Sequence, residues 1–174
     1  MTLALVVGPG SAVAAERGSG GPACPIMQQT VPSATVQVPA QAGPTGFPGA
    51  THEVDTGVCV RRSVTVTATG AIGVYGTQVT YGPQGDTTTT AGPGFVLQGV
   101  PKWSLIGRIG NGPWQYIGAG PTTLVGRGEL YLAVNDDFFS DNSGSFTANI
   151  SQCGCGDPFW AAMDALAEWR PFSA

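Results

Sequence analysis

Apolar residues in this chain recur at every second position through a series of short segments. Ala34-Thr35-Val36-Gln37-Val38 alternates until Pro39 ends it, and Ser63-Val64-Thr65-Val66-Thr67-Ala68 repeats the pattern. Alternation of this kind marks a strand with one face buried and one wet. Further strands are predicted at Val58–Val60, Ser104–Ile109, Trp114–Ile117, Glu129–Val134 and Gly144–Ile150. Turn-forming stretches separate them, among them Gln41 to Gly49 and Tyr81-Gly82-Pro83-Gln84-Gly85. Many short β segments with glycine turns predict an all-β fold, a small antiparallel β-sandwich. The C-terminal end departs from this pattern. Asp157-Pro158 reads as an N-cap followed by a first-turn proline, and Phe159, Met163, Leu166 and Trp169 then recur near helical spacing until Pro171. A short C-terminal helix capping the sandwich is expected there, with partner docking as the alternative.

These patterns divide the chain into three parts: a signal-like segment and flexible leader over 1–33, the β-sandwich over 34–152, and a Cys-x-Cys segment with the terminal helix over 153–174. The opening MTLALVVGPGSAVAA resembles a secretory apolar region ending at a small-residue cleavage site, although the usual positive n-region is missing, which fits either a truncated start or an accidental resemblance. A secreted or periplasmic location is the expectation. The same stretch is too short, and too broken by Gly8, Pro9 and Gly10, to span a membrane, and no other candidate span is present.

Composition narrows the function classes. The chain has 174 residues, enough for one domain with a real core, and is 42% hydrophobic but only 10% charged. Net charge is −4, and seven Lys and Arg without a basic run give no footprint for nucleic acid. Cys24, Cys59, Cys153 and Cys155 agree with an oxidising compartment. Cys153 and Cys155 flank a single Gly, and a ring that small would be strained, so each is expected to reach away, one to Cys24 and one to Cys59. Free thiols and a zinc site are the rival readings, the latter with poor ligand spacing.

Candidate chemistry gathers in Asn135-Asp136-Asp137-Phe138-Phe139-Ser140-Asp141-Asn142-Ser143-Gly144, directly after a strand-like run. Three carboxylates crowded into one turn repel each other unless water or a cation lies between them. Hard oxygen donors suit Ca2+, which takes about six to eight of them. The same residue types also build solvated hairpin turns. The loop is not an EF-hand, because Thr147 stands where that pattern needs a bidentate Glu. No catalytic set assembles. His52 is the single histidine, no G-x-S-x-G elbow occurs, and the Gly85-Asp86-Thr87 stretch has no phosphate-loop lysine. The expectation is a protein that is not an enzyme.

Four blocks in one order carry a resemblance to a known family: Gly73-Val74-Tyr75-Gly76-Thr77-Gln78, Tyr81-Gly82-Pro83-Gln84-Gly85-Asp86, Ser104-Leu105-Ile106-Gly107-Arg108-Ile109-Gly110, and Asn135-Asp136 with Asp141-Asn142-Ser143-Gly144-Ser145-Phe146. From Ala34 to Ile150 the chain resembles the LecA (PA-IL) galactose-binding bacterial lectins. That resemblance implies a small jelly-roll, galactose-binding-like β-sandwich in which a bound calcium ion itself coordinates vicinal sugar hydroxyls. Carried over by position, it implies metal ligands at Tyr75 and Phe138 through backbone carbonyls, and at Asp136, Asp141 and Asn142 through side chains. Tyr75, Asp136, Asp137 and Asp141 are the implied sugar-facing residues. Asp141 stands where the lectins have Asn, and the loop is shorter than theirs. Thr89 and Gly92 occupy the positions of the lectin His and Gln that reach galactose, which puts galactose preference in question. The expected function is calcium-dependent binding of a galactose-like glycan or another vicinal diol. A calcium-stapled extracellular structural or adhesion domain is the alternative. Assembly into a homo-oligomer is left open by the sequence.

Overall fold

The structure is a computed structural model and describes residues 33–76 and 78–152. The strands are β1 (Ser33–Pro39), β2 (Val54–Val60), β3 (Ser63–Val74), β4 (Val79–Tyr81), β5 (Asp86–Thr90), β6 (Pro101–Lys102), β7 (Leu105–Ile109), β8 (Gln115–Tyr116), β9 (Thr122–Val125), β10 (Gly128–Val134) and β11 (Ser143–Gln152). Every pairing among them is antiparallel. One sheet runs β1-β11-β3-β4 with β9 also on β3, a second runs β2-β10-β7-β8, and β5 and β6 form a small ribbon.

The alternation read from the sequence is what closes the two layers. Val64, Val66 and Ala68 of β3 and Phe146, Ala148 and Ile150 of β11 point inward, while their neighbours stay partly or fully exposed. Leu130, Leu132 and Val134 of β10 face them from the second sheet with Leu105 and Ile109 of β7, all in one apolar cluster. Two sheets sharing one core are a β-sandwich. The described residues are therefore all-β and contain no helix. No described helix is long and apolar enough to cross a membrane. The leader, the terminal helix, Thr77, Cys24, Cys153 and Cys155 lie outside the described residues, and with them the cysteine pairing; Cys59 lies buried on β2.

One strand differs from its expected length in a way that positions the site. The pattern predicts a strand ending at Ala68, yet β3 continues to Val74. Gly70 permits this: it lies across from Phe146 at φ +94°, where a Cβ would come 2.8 Å from the Ser145 carbonyl oxygen. Beyond it, Ile72 and Val74 return to the core with no exposure above 1%. The longer strand delivers Tyr75 to the point where the acidic loop runs into β11.

Candidate functional site

The register of β3 on β11 sets the first half of the site. Gly73 pairs with Ser143, so the chain beyond it meets the acidic loop, and the Gly76 amide donates to the Asp141 carbonyl at 3.1 Å. Tyr75 makes the turn at φ +53° and is 56% exposed. Among the described residues the only other non-glycine at positive φ is Trp103, at +56°. The two rings meet edge to face at 5.4 Å. Bulky residues rarely take this conformation, which costs about 1–3 kcal/mol each and persists only where the surroundings impose it.

The second half is the loop after β10. Asn135, fully buried, accepts the Leu97 amide through Oδ1 at 2.8 Å and donates from Nδ2 to the Leu97 and Pro101 carbonyls at 2.9 and 3.2 Å. Its own carbonyl accepts the Trp103 amide at 2.8 Å. Asp136 follows, 2% exposed. Its Oδ1 accepts the Trp103 indole Nε1–H at 3.1 Å and the amides of Asp137 and Phe138 at 2.8 and 3.5 Å. Its Oδ2 accepts Asn142 Nδ2 at 2.6 Å, and that nitrogen also donates to the Ala40 carbonyl at 3.1 Å. Burial outweighs these hydrogen bonds and pushes the Asp136 carboxyl up to about 6. Phe139 pins the loop, with no exposed surface, its ring edge-on to Phe47 at 6.2 Å and its amide on the Pro48 carbonyl at 2.8 Å.

Among the described residues two buried side-chain polar atoms have no hydrogen-bond partner, Arg108 Nε and Asn142 Oδ1, and the second lies in this site. Asn142 is 4% exposed, and its Oδ1 has no hydrogen-bond partner. A buried amide oxygen without a donor costs about 1–3 kcal/mol. It belongs to the residue that contacts the buried Asp136 carboxylate, with which no Lys or Arg pairs among the described residues. A hard cation answers both deficits, so these donors fit calcium in type. No group of three or more His, Cys, Asp or Glu able to hold a metal occurs among the described residues. What the fold does bring together is a buried carboxylate and a carboxamide in contact, with the partly buried Asp141 next to Asn142 in the same loop.

The sequence-derived residues thus fall at one end of the sandwich. Asp136 and Asn142 are in direct contact, and Tyr75 and Asp141 are joined through the Gly76 amide. Phe138 is 50% exposed and is tied to the site through its amide. Asp137 is exposed and packs beside the 91–100 loop, where a Cβ on Gly94 would meet its Cβ at 3.7 Å. Thr89 spends its hydroxyl on Asp86 Oδ2 at 2.7 Å, and the Gly92 carbonyl accepts the Phe95 amide at 3.4 Å. The pattern gave no role to Trp103 or to Asn135.

No family model and no curated protein matches this chain. Among solved structures it is similar to one described as "EclA N-terminal domain; PllA-like lectin", at 22% identity and a TM-score of 0.48, covering 67% of this chain and 93% of that one. The LecA kinship remains a resemblance carried by the four sequence blocks.

Proposed function

We propose that this is a lectin-like, exported, non-enzymatic domain that binds a galactose-like sugar or another vicinal diol through a calcium ion at the Asp136 site. The observation that carries this reading is the orphaned, buried Asn142 Oδ1 on the residue that contacts an unpaired buried carboxylate. Asp136, Asp141 and Asn142 would hold the ion, helped by the carbonyls of Tyr75 and Phe138. When bound, calcium supplies coordination positions that two hydroxyls can take over from water, at little cost in unsatisfied polar groups. The protein's part is to hold Asp136 in a dry setting, to keep the Tyr75 turn against Asp141, and to present the exposed Tyr75 and Phe138 side chains at the rim.

A glycan array read in calcium and again in chelator tests this. Binding to galactose-like or vicinal-diol glycans that disappears in chelator is expected; absent or chelator-insensitive binding rejects it. Thr89 and Gly92 favour a second reading, since neither offers a free side-chain group for a sugar ring. In that reading the ion staples the loop to Ala40 and Gln41, which Asn142 already bridges through Nδ2 and its carbonyl. Calcium would then raise thermal stability while no sugar raised it further.

A further inference from the structure

Trp103 touches both halves of the site without belonging to either. Its indole N–H donates to Asp136 Oδ1 at 3.1 Å, and its amide to the Asn135 carbonyl at 2.8 Å. Its ring stacks on Tyr81 at 4.9 Å and 21°, and receives Tyr75 edge-on at 5.4 Å and 77°. Only 6% exposed, it has almost no surface to offer a ligand directly. Its left-handed backbone, φ +56°, is the conformation a bulky residue adopts where a site requires it.

The hydrogen bonds at Asp136 are unevenly shared. Oδ1 takes three N–H groups, from Trp103, Asp137 and Phe138, whereas Oδ2 takes one, from Asn142. A carboxylate oxygen has about two lone-pair sites, so Oδ1 is saturated and the spare acceptor capacity lies on Oδ2. Resting on the calcium reading above, we propose that Trp103 is the positioning residue of this site. Its N–H commits Oδ1, which leaves Oδ2 as the oxygen open to an ion on the Asn142 side. Its ring sets the distance between that carboxylate and the Tyr75 turn. Loading of the ion is therefore reported at the indole.

The test is an amide and indole NMR titration of the whole 15N-labelled chain, which carries four Trp, together with calcium affinities. The Trp103 indole resonance, assigned by its contacts to the Tyr75 and Tyr81 rings, is expected to move in Asp136→Asn without calcium and to move again when calcium is added to wild type. Trp103→Phe keeps an aromatic ring but removes the donor, and is expected to weaken calcium binding about tenfold to a hundredfold, the scale of a hydrogen bond to a charged group. Wild type that binds calcium with a stationary Trp103 indole overturns the proposal alone, as does Trp103→Phe with wild-type affinity. Wild type that takes up no calcium overturns the ion reading and this assignment with it. If Trp103→Phe does not fold, the Asp136→Asn and calcium shifts in the intact indole decide.

Discussion

Asn142 turns its side-chain nitrogen toward Asp136 Oδ2, 2.6 Å away, and leaves its own oxygen buried with nothing to accept. A fold that only needed to close this loop could satisfy both groups with a single donor. The pairing instead concentrates oxygen around a carboxylate that no Lys or Arg pairs with among the described residues, and this imbalance links the sandwich to its proposed function.

Asp136 then works against stability in the absence of calcium. Burial disfavours its charged form. Asp136→Asn keeps the shape and removes the charge, but it sets an NH2 group where Oδ2 accepts Asn142 Nδ2. Relief of the buried charge and loss of that acceptor oppose each other, so in chelator it should unfold within about 2 kcal/mol of wild type. Denaturant unfolding of both proteins measures this. A loss above about 3 kcal/mol would mean the carboxylate is structural, as when one partner of a buried pair is removed.

Adjacent phenylalanines should behave in opposite ways. Phe139 has no exposed surface, and Phe138 is 50% exposed. Phe139→Ala should cost about 3–5 kcal/mol and release the loop. Phe138→Ala should cost less than about 1 kcal/mol, as a half-exposed side chain without a core role does. Equal midpoints in urea would show that Phe139 does not anchor the loop.

Two glycines at similar positive φ separate backbone strain from collision. At Gly85 (φ +72°) a Cβ would come 2.2 Å from the Lys102 carbonyl oxygen, whereas at Gly76 (φ +65°) nothing lies within 4 Å. Gly76→Ala should cost about 1–2 kcal/mol from the left-handed backbone alone. Gly85→Ala should cost clearly more, because the β5–β6 ribbon leading into Trp103 must shift. Thermal unfolding of the pair decides, and equal losses would contradict the close approach at Gly85.

Tyr131 provides a pH test remote from the loop. Its hydroxyl donates to Glu129 Oε2 at 2.6 Å, and this bond, with burial and nearby carboxylates, pushes it up to about 12. The neutral phenol is the form the fold favours. Its contribution is full below the ordinary value of 10.0 and is lost as pH rises through about 12. In a phenolate absorbance titration, Tyr131→Phe should remove a component ionising near pH 12. An unchanged curve would show that the Glu129 bond is absent in solution.

Much of this was legible in the chain because half-buried strands write their pattern directly. Val64, Val66 and Ala68 alternate with threonines, and those positions are the ones that alternate inward. The strand's extension past Gly70 was not legible, since Thr69, Gly70 and Ala71 are all exposed and break the alternation. β5, an Asp followed by four threonines with no buried position, has no apolar signal at all. Within the site, the oxygen donors at 136–142 stand together in sequence and could be found. Trp103 could not, because its contact with Asp136 spans 33 positions and depends on the ribbon that the pattern misses. Asn135 read as part of a turn, yet its side chain reaches 38 positions back to Leu97.

Calorimetric titration of calcium into wild type and Asp136→Asn, both shown to be folded, asks most directly whether this end of the sandwich holds an ion. One saturable calcium site in wild type, lost in the variant, is expected. Folded wild type giving no calcium heat and no calcium-dependent stabilisation, or a variant that binds as tightly as wild type, would contradict it.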